Sequence, residues 1–203
     1  MRPWPRVGHP QSVADERRQS AEICDIGNQR IRRLHLASGI IETYAGTFEA
    51  AATPEGAPVH GTPLKGPRTL ATARNGDLYL ALREGNAIIR IDAKTQTLHR
   101  VAGTGKAGCS GDGGPAVDAT LGGPKGLAYD GENLYLADTE NHVIRRIILK
   151  TGIILTVLGT GVRGDGPDAD PLTCKLSRPH GVLFAKGVLF VTNSEANRIL
   201  ELR

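Results

Sequence analysis

Between Asn133 and Leu158 the chain falls into three short, mostly apolar runs, Asn133–Asp138, Val143–Leu149 and Ile153–Leu158. Short runs rich in Val, Ile, Leu and Tyr and bounded by turn residues mark β-strands. A polar Thr-Glu-Asn tip and a Lys-Thr-Gly turn separate the runs, and both are good turn chemistry. Connections this short cannot join parallel neighbours, so the three strands form an antiparallel meander. The same text recurs along the chain. Aligned on a loop asparagine, the copies carry Asn28, Asn86, Asn141 and Asn197, at steps of 58, 55 and 56 residues. A fixed period with several strands per unit points to stacked or radial repetition.

An opening strand precedes the meander in the later copies. Its proline recurs at Pro67, Pro124 and Pro179, and proline suits the first residue of a strand, where its missing N–H costs no ladder bond. The complete unit therefore has four strands, in blades spanning residues 67–102 and 124–158. Residues 21–45 and 179–203 read as partial, three-stranded blades, and the sum is fourteen strands. Residues 1–20 match no repeat and are expected to be a disordered or loosely attached lead-in. Four-stranded units repeating radially predict an all-β fold, a β-propeller of antiparallel blades.

Composition changes this picture little. The 203 residues are 39% apolar and 23% charged, ordinary for a soluble domain. No apolar run approaches the roughly 20 residues needed to span a bilayer, and nothing near the start reads as a secretory signal. The chain is expected to be soluble, with its compartment left open. A net charge of +4 is too small to argue for nucleic acid by itself. Cys24, Cys109 and Cys174 lack paired spacing, which argues against a disulfide framework and a zinc site.

Three stretches carry a resemblance. Leu-Tyr-Leu-Ala-Asp-Thr-Glu-Asn-His-x-Ile-Arg-Arg-Ile at 134–147 resembles an NHL repeat. So do Asp25-Ile-Gly-Asn-Gln-Arg-Ile-Arg-Arg and Gly-Cys-Ser-Gly-Asp-Gly-Gly-Pro-Ala at 108–116. The resemblance covers about residues 21–203. It implies a ring of six blades, of which this chain would supply about three and a half, an incomplete propeller. The expected complement is the remaining blades of a longer chain or a second copy. The family's functions range from scaffolds and RNA binders to lyase- or lactonase-like enzymes, so fold alone does not choose among them.

The repeat supplies an internal control, because residues present in every blade are structural and residues that differ can build a site. The recurring asparagines read as turn formers. Asp25 with Arg32, and Asp138 with Arg145, read as cross-strand ion pairs within a blade. Tyr79, Tyr135 and Phe190 share one phase of the second strand and are expected in the core. After the strand-opening prolines stand Arg68, Lys125 and His180, predicted to line the channel mouth as neighbours. Convergent cationic donors suit a carboxylate or phosphate. At the exit of the second strand, Arg83-Glu84 replaces an Asp-Ile or Asp-Thr pair, Asn193 replaces Asp138, and Glu140 and His142 share a turn. These join the candidate ligand-binding set. The face bearing the long links 46–66, 103–123 and 159–178 is where a ligand is expected, since loops of that length are commonly functional or mobile.

Other motifs fail on spacing. Gly103-Thr-Gly-Lys-Ala-Gly lacks the full phosphate-loop frame, and the acidic Gly-rich stretches at 110–114 and 165–170 lack the ligand spacing of calcium loops. No nucleophile elbow occurs, and no metal-ligand spacing is present. The leading expectation is a non-catalytic binding or scaffold module, taking a protein partner or an anionic small molecule on its long-loop face. The alternatives are a metal-assisted enzyme of the lyase or lactonase type, which would bring a divalent ion, and an RNA binder, which 4% aromatic content disfavours. No cofactor is predicted for the leading reading, and no membrane partner.

Overall fold

The computed structural model describes residues 10–13, there as backbone alone, and residues 19–203. The first sheet holds β1 (Pro10–Val13), β2 (Ser20–Asp25), β3 (Arg30–His35) and β4 (Ile41–Gly46). The second holds β5 (Pro67–Thr72), β6 (Leu78–Leu82), β7 (Ala87–Ile91) and β8 (Leu98–Ala102). The third holds β9 (Pro124–Tyr129), β10 (Asn133–Asp138), β11 (Val143–Ile148) and β12 (Ile153–Leu158). The last holds β13 (Gly181–Ala185), β14 (Val188–Asn193) and β15 (Arg198–Leu202). All strand pairings within the blades are antiparallel and follow chain order, as hairpin-length turns require. The opening strands β1, β5, β9 and β13 lie side by side, so the sheets stand as consecutive blades of a propeller arc.

One expectation is corrected here. The first blade has an opening strand, because β1 pairs Pro10 with Asp25 and Gln11 with Cys24. The described chain thus has fifteen strands rather than fourteen. The signal was present: Pro10 stands 57 residues before Pro67, which stands 57 before Pro124. The rest of the expected lead-in, residues 1–9 and 14–18, lies outside the described residues.

Each gap between blades holds one hydrophobic core. The first gap packs Cys24, Ile31 and Tyr44 against Leu70, Leu80 and Ile91. The second packs Tyr79, Ala81 and Ile88 against Leu127, Leu134 and Ile147, and the third packs Ala137 and Ile144 against Leu189 and Val191. Strand alternation explains this, since successive side chains of one blade face opposite gaps. Leu80, Leu134 and Leu136 are fully buried, and each such side chain contributes about 1.5–3 kcal/mol of transfer free energy. The long links also take part. Val59 and Leu64, then Ala116, Ala119 and Leu121, then Cys174 and Leu176 enter the three cores. These links therefore cap the gaps over part of their length.

The blades differ in one buried polar position. In the third, Asp138 and Arg145 are both buried and lie 3.8 Å apart. In the second, strand register places Leu82 opposite Ala87 as it places Asp138 opposite Val143. Leu82, and not Arg83, therefore replaces the acid, and Ile89 correspondingly replaces Arg145. An apolar pair substitutes for the buried charged one without loss of architecture, as desolvation costs lead one to expect.

The turn after the second strand also corrects the repeat phase. The left-handed residue there is Gln29, Asn86, His142 and Asn197, with φ of 56°, 46°, 56° and 53°. Asn28 and Asn141 sit one residue earlier and donate their side-chain amides to Asp25 and Asp138 instead. The left-handed residue has a second role. Its side chain accepts a hydrogen bond from the backbone N–H of the residue that precedes the next blade's proline. Gln29 accepts from Gly66 at 2.7 Å, Asn86 from Gly123 at 2.9 Å, and His142 from Arg178 at 3.1 Å. Each blade is latched to the next by this bond.

Candidate functional site

The inner strands bring the recurring cations to one place. On β5 the pairing shifts between Pro67 and Thr69, leaving Arg68 as an extra residue in a β-bulge. On β9 a like shift makes Lys125 and Gly126 together face Ala137. Bulges re-aim side chains, and here they turn two cations toward the same space. Arg68, Lys125 and His180 line one cavity of about 340 Å³, together with Thr69, Gly181 and Thr192. No carboxylate is among its lining residues. Lys125 Nζ lies 2.8 Å from His180 Nε2, and Lys125 is only 6% exposed.

The close approach depends on Gly126. A Cβ there would stand 2.6 Å from the His180 carbonyl oxygen and 3.0 Å from the Val182 nitrogen. The absence of a side chain is what lets β9 and the start of β13 run so near each other. Burial holds the Lys125 ammonium below the usual lysine range, and the Arg178 and Arg83 charges add to this, while Glu140 opposes it. Burial also lowers His180, followed by the charges of Lys125, Arg178 and Arg68. With an ammonium as donor, the imidazole Nε2 accepts and His180 is neutral.

A band of ion pairs crosses the blades beside this cavity. Arg83 contacts Glu84 at 2.6 Å and Glu140 at 3.6 Å. Arg178 joins Glu140 at 2.5 Å to Glu195 at 3.0 Å, and Arg163 closes the row on Glu195 at 2.7 Å. Three arginines meet three glutamates in this band, so its charge balances. Arg68 and Lys125 form no ion pair among the described residues. Arg83 and Arg178 each also keep a buried Nε without an acceptor.

The sequence-derived set is therefore split. Arg68, Lys125 and His180 meet in the cavity, and Arg83, Glu84 and Glu140 belong to the adjoining band. His142 serves as the latch on Arg178. Asn193 is fully buried and accepts from the Ser177 N–H at 2.6 Å, matching the bond from the Gly122 N–H to Asp138 at 2.6 Å. Its place is in the blade's interior bracing. Sequence reasoning missed Arg178. Its φ is +45°, at the position where the other blades place Gly66 and Gly123. A left-handed arginine is strained, and it is held by two glutamates and the His142 latch. The signal was the replacement of Gly-Pro by Arg-Pro before the last blade.

The acidic link stretches have structural partners. Asp112 pairs with Arg145 at 2.6 Å, and Asp165 pairs with Arg198 at 2.8 Å. No three His, Cys, Asp or Glu side chains converge as a metal-binding group among the described residues. Tyr135 stacks on Phe184 and Tyr79 packs against Tyr129, both within or against the interblade cores. Cys109 and Cys174 form no disulfide among the described residues, and Cys109 is exposed. No helix among the described residues is long and apolar enough to cross a membrane.

Comparison with known proteins agrees with the architecture. No family model matches the chain. NHL repeat-containing protein 2 of Gallus gallus is 30% identical over 130 residues, 63% of this chain and 18% of that protein. A structural genomics protein of unknown function from Bacteroides thetaiotaomicron superposes with a TM-score of 0.75 at 16% identity. The superposition covers 96% of this chain and 47% of that one. Virginiamycin B lyase from Staphylococcus aureus superposes with a TM-score of 0.56 at 17% identity, over 95% of this chain and 55% of that one. At such identities the two structures speak for fold alone. The chain spans under a fifth of the chicken relative and about half of each solved structure.

Proposed function

Because the chain belongs to the NHL-repeat β-propeller family, we propose that it acts as a binding module whose inner rim takes a small carboxylate or phosphate. The observation that carries this reading is the cavity of about 340 Å³ lined by Arg68, Lys125 and His180, with no carboxylate in its lining. Lys125 is 6% exposed and has no ion pair among the described residues, the Glu140 charge opposing its desolvation only in part, and burial of such a charge is costly. A ligand anion offsets that cost. Arg68 offers a forked guanidinium for two oxygens, Lys125 a point charge, and His180 a third donor once protonated.

The metal-assisted reading would draw on Glu140, His142 and Asn193, but these side chains are engaged by Arg178 and by the Ser177 backbone. The test is isothermal titration with inorganic phosphate and with lactate. The double variant Arg68→Ala/Lys125→Ala loses two charge-assisted contacts of about 1.5–3 kcal/mol each, hence about a hundredfold or more in affinity. Its β-sheet circular dichroism is unchanged. Equal affinity in wild type and double variant would remove the rim from consideration.

A further inference from the structure

The rim holds a group with chemistry beyond charge. The chain has seven lysines, and Lys65, Lys94, Lys106, Lys150, Lys175 and Lys186 are exposed, whereas Lys125 is buried. Among the described residues Lys125 is the lysine that stands against an imidazole, its Nζ 2.8 Å from His180 Nε2, and that contact faces a cavity open to small molecules. Arg68 lines the same cavity.

We propose that Lys125 condenses reversibly with the carbonyl of a small 2-oxo acid whose carboxylate is held by Arg68. This inference rests on the anion-binding reading and names the class of anion. A 2-oxo acid carries a carboxylate and an electrophilic carbon on adjacent atoms, which suits a guanidinium and an amine lining one small cavity. The Lys125 ammonium first passes a proton to His180 Nε2. The freed lone pair attacks the carbonyl carbon, and the C–O π pair moves to oxygen, giving a carbinolamine after proton transfer. The carbinolamine oxygen then leaves as water, taking the proton held by His180, while a C=N bond forms and the nitrogen loses its remaining surplus proton to solvent. The net change is amine plus ketone to imine plus water, with no oxidant or reductant consumed. A desolvated lysine among other cations is the usual form of an activated amine, and the burial and arginine charges that hold Lys125 below its ordinary range act in that direction.

The experiment uses the whole chain with pyruvate and sodium cyanoborohydride at neutral pH, followed by peptide mass mapping. The expected result is one carboxyethyl group on Lys125, formed about tenfold or more faster than on any of the six exposed lysines. Lactate, which has the carboxylate but no carbonyl, slows this labelling and leaves no adduct. Lys125→Arg abolishes the adduct at this site. His180→Gln slows labelling and flattens its rise with pH. Labelling spread evenly over the surface lysines overturns the proposal even if no variant folds, because the wild-type map alone decides it. Lactate binding without preferential modification of Lys125 leaves the anion site standing and removes the imine. Absence of both binding and labelling removes both readings.

Discussion

Replacing Asp138 by asparagine tests how the blade interior handles a buried carboxyl. Asp138 is fully buried, accepts from the Gly122 N–H at 2.6 Å and from Asn141 at 2.8 Å, and lies 3.8 Å from Arg145. Arg145 places its closest contact on Asp112, at 2.6 Å. One guanidinium therefore serves two carboxylates, and Asp138 is the more distant. Burial pushes its carboxyl up to about 7, against the lowering effects of Asn141, Gly122 and Arg145. In the unfolded chain the group titrates near about 4. Between those values the folded state binds the extra proton, so stability falls as pH rises through the window and the full cost is reached above pH 7. A rise of about three units corresponds to about 4 kcal/mol. Asparagine removes the titration, and Asn193 already performs the same backbone bond uncharged in the last blade. Urea unfolding followed by circular dichroism at pH 4 and pH 7.5 measures the difference. Relative to wild type, Asp138→Asn should gain about 4 kcal/mol between the two pH values. A constant difference, or one that moves against the variant as pH rises, would show the carboxylate ionised in the folded protein and refute the reasoning.

Two further outcomes follow from the contact between the third and fourth blades. His142 accepts from the Arg178 N–H through Nδ1, which requires the proton on Nε2. Burial first, then Arg163, lowers its affinity for a second proton, while Glu140 and Glu195 oppose this and Arg178 adds to the lowering. A depressed histidine contributes stability that is present above its unfolded value and is lost as pH falls below it. His142→Gln, which copies Gln29, should lose less stability than wild type between pH 7 and pH 5, by about 1 kcal/mol in thermal unfolding; parallel pH profiles would count against the latch. Gly126→Ala forces a methyl group onto the His180 carbonyl, and should cost about 1–3 kcal/mol while weakening phosphate binding in the titration. An alanine variant indistinguishable from wild type in both would show that the inner strands are not held at this spacing by the glycine.

Much of the fold was legible because burial in a propeller follows a simple rule. In β6 and β10 the side chains alternate faces, and both faces meet a neighbouring blade, so Leu134, Leu136, Tyr79 and Ala81 declare themselves by period alone. Strand-opening prolines gave the blade phase, and the first was overlooked at Pro10 because the strand it opens is short and weakly apolar. The turn asparagines misled by one residue. Asn favours both the left-handed position and a carboxylate three residues back, and only the geometry separates Asn86 from Asn141. The neighbourhood of Arg68, Lys125 and His180 was readable from their common phase, since equal positions in a radial repeat face one axis. Arg178 was not, because its importance lies in a backbone angle that an Arg-Pro pair does not announce.

The bulges on β5 and β9 have a consequence for how such a rim can change over generations. Arg68 and the Lys125-Gly126 pair exist as surplus counts in otherwise regular ladders. Loss of a single codon at either place would restore even pairing, leave every leucine of the interior where it is, and erase one cation from the mouth. The charge of this opening is thus separable from the strength of the wheel beneath it, and the two can be inherited independently.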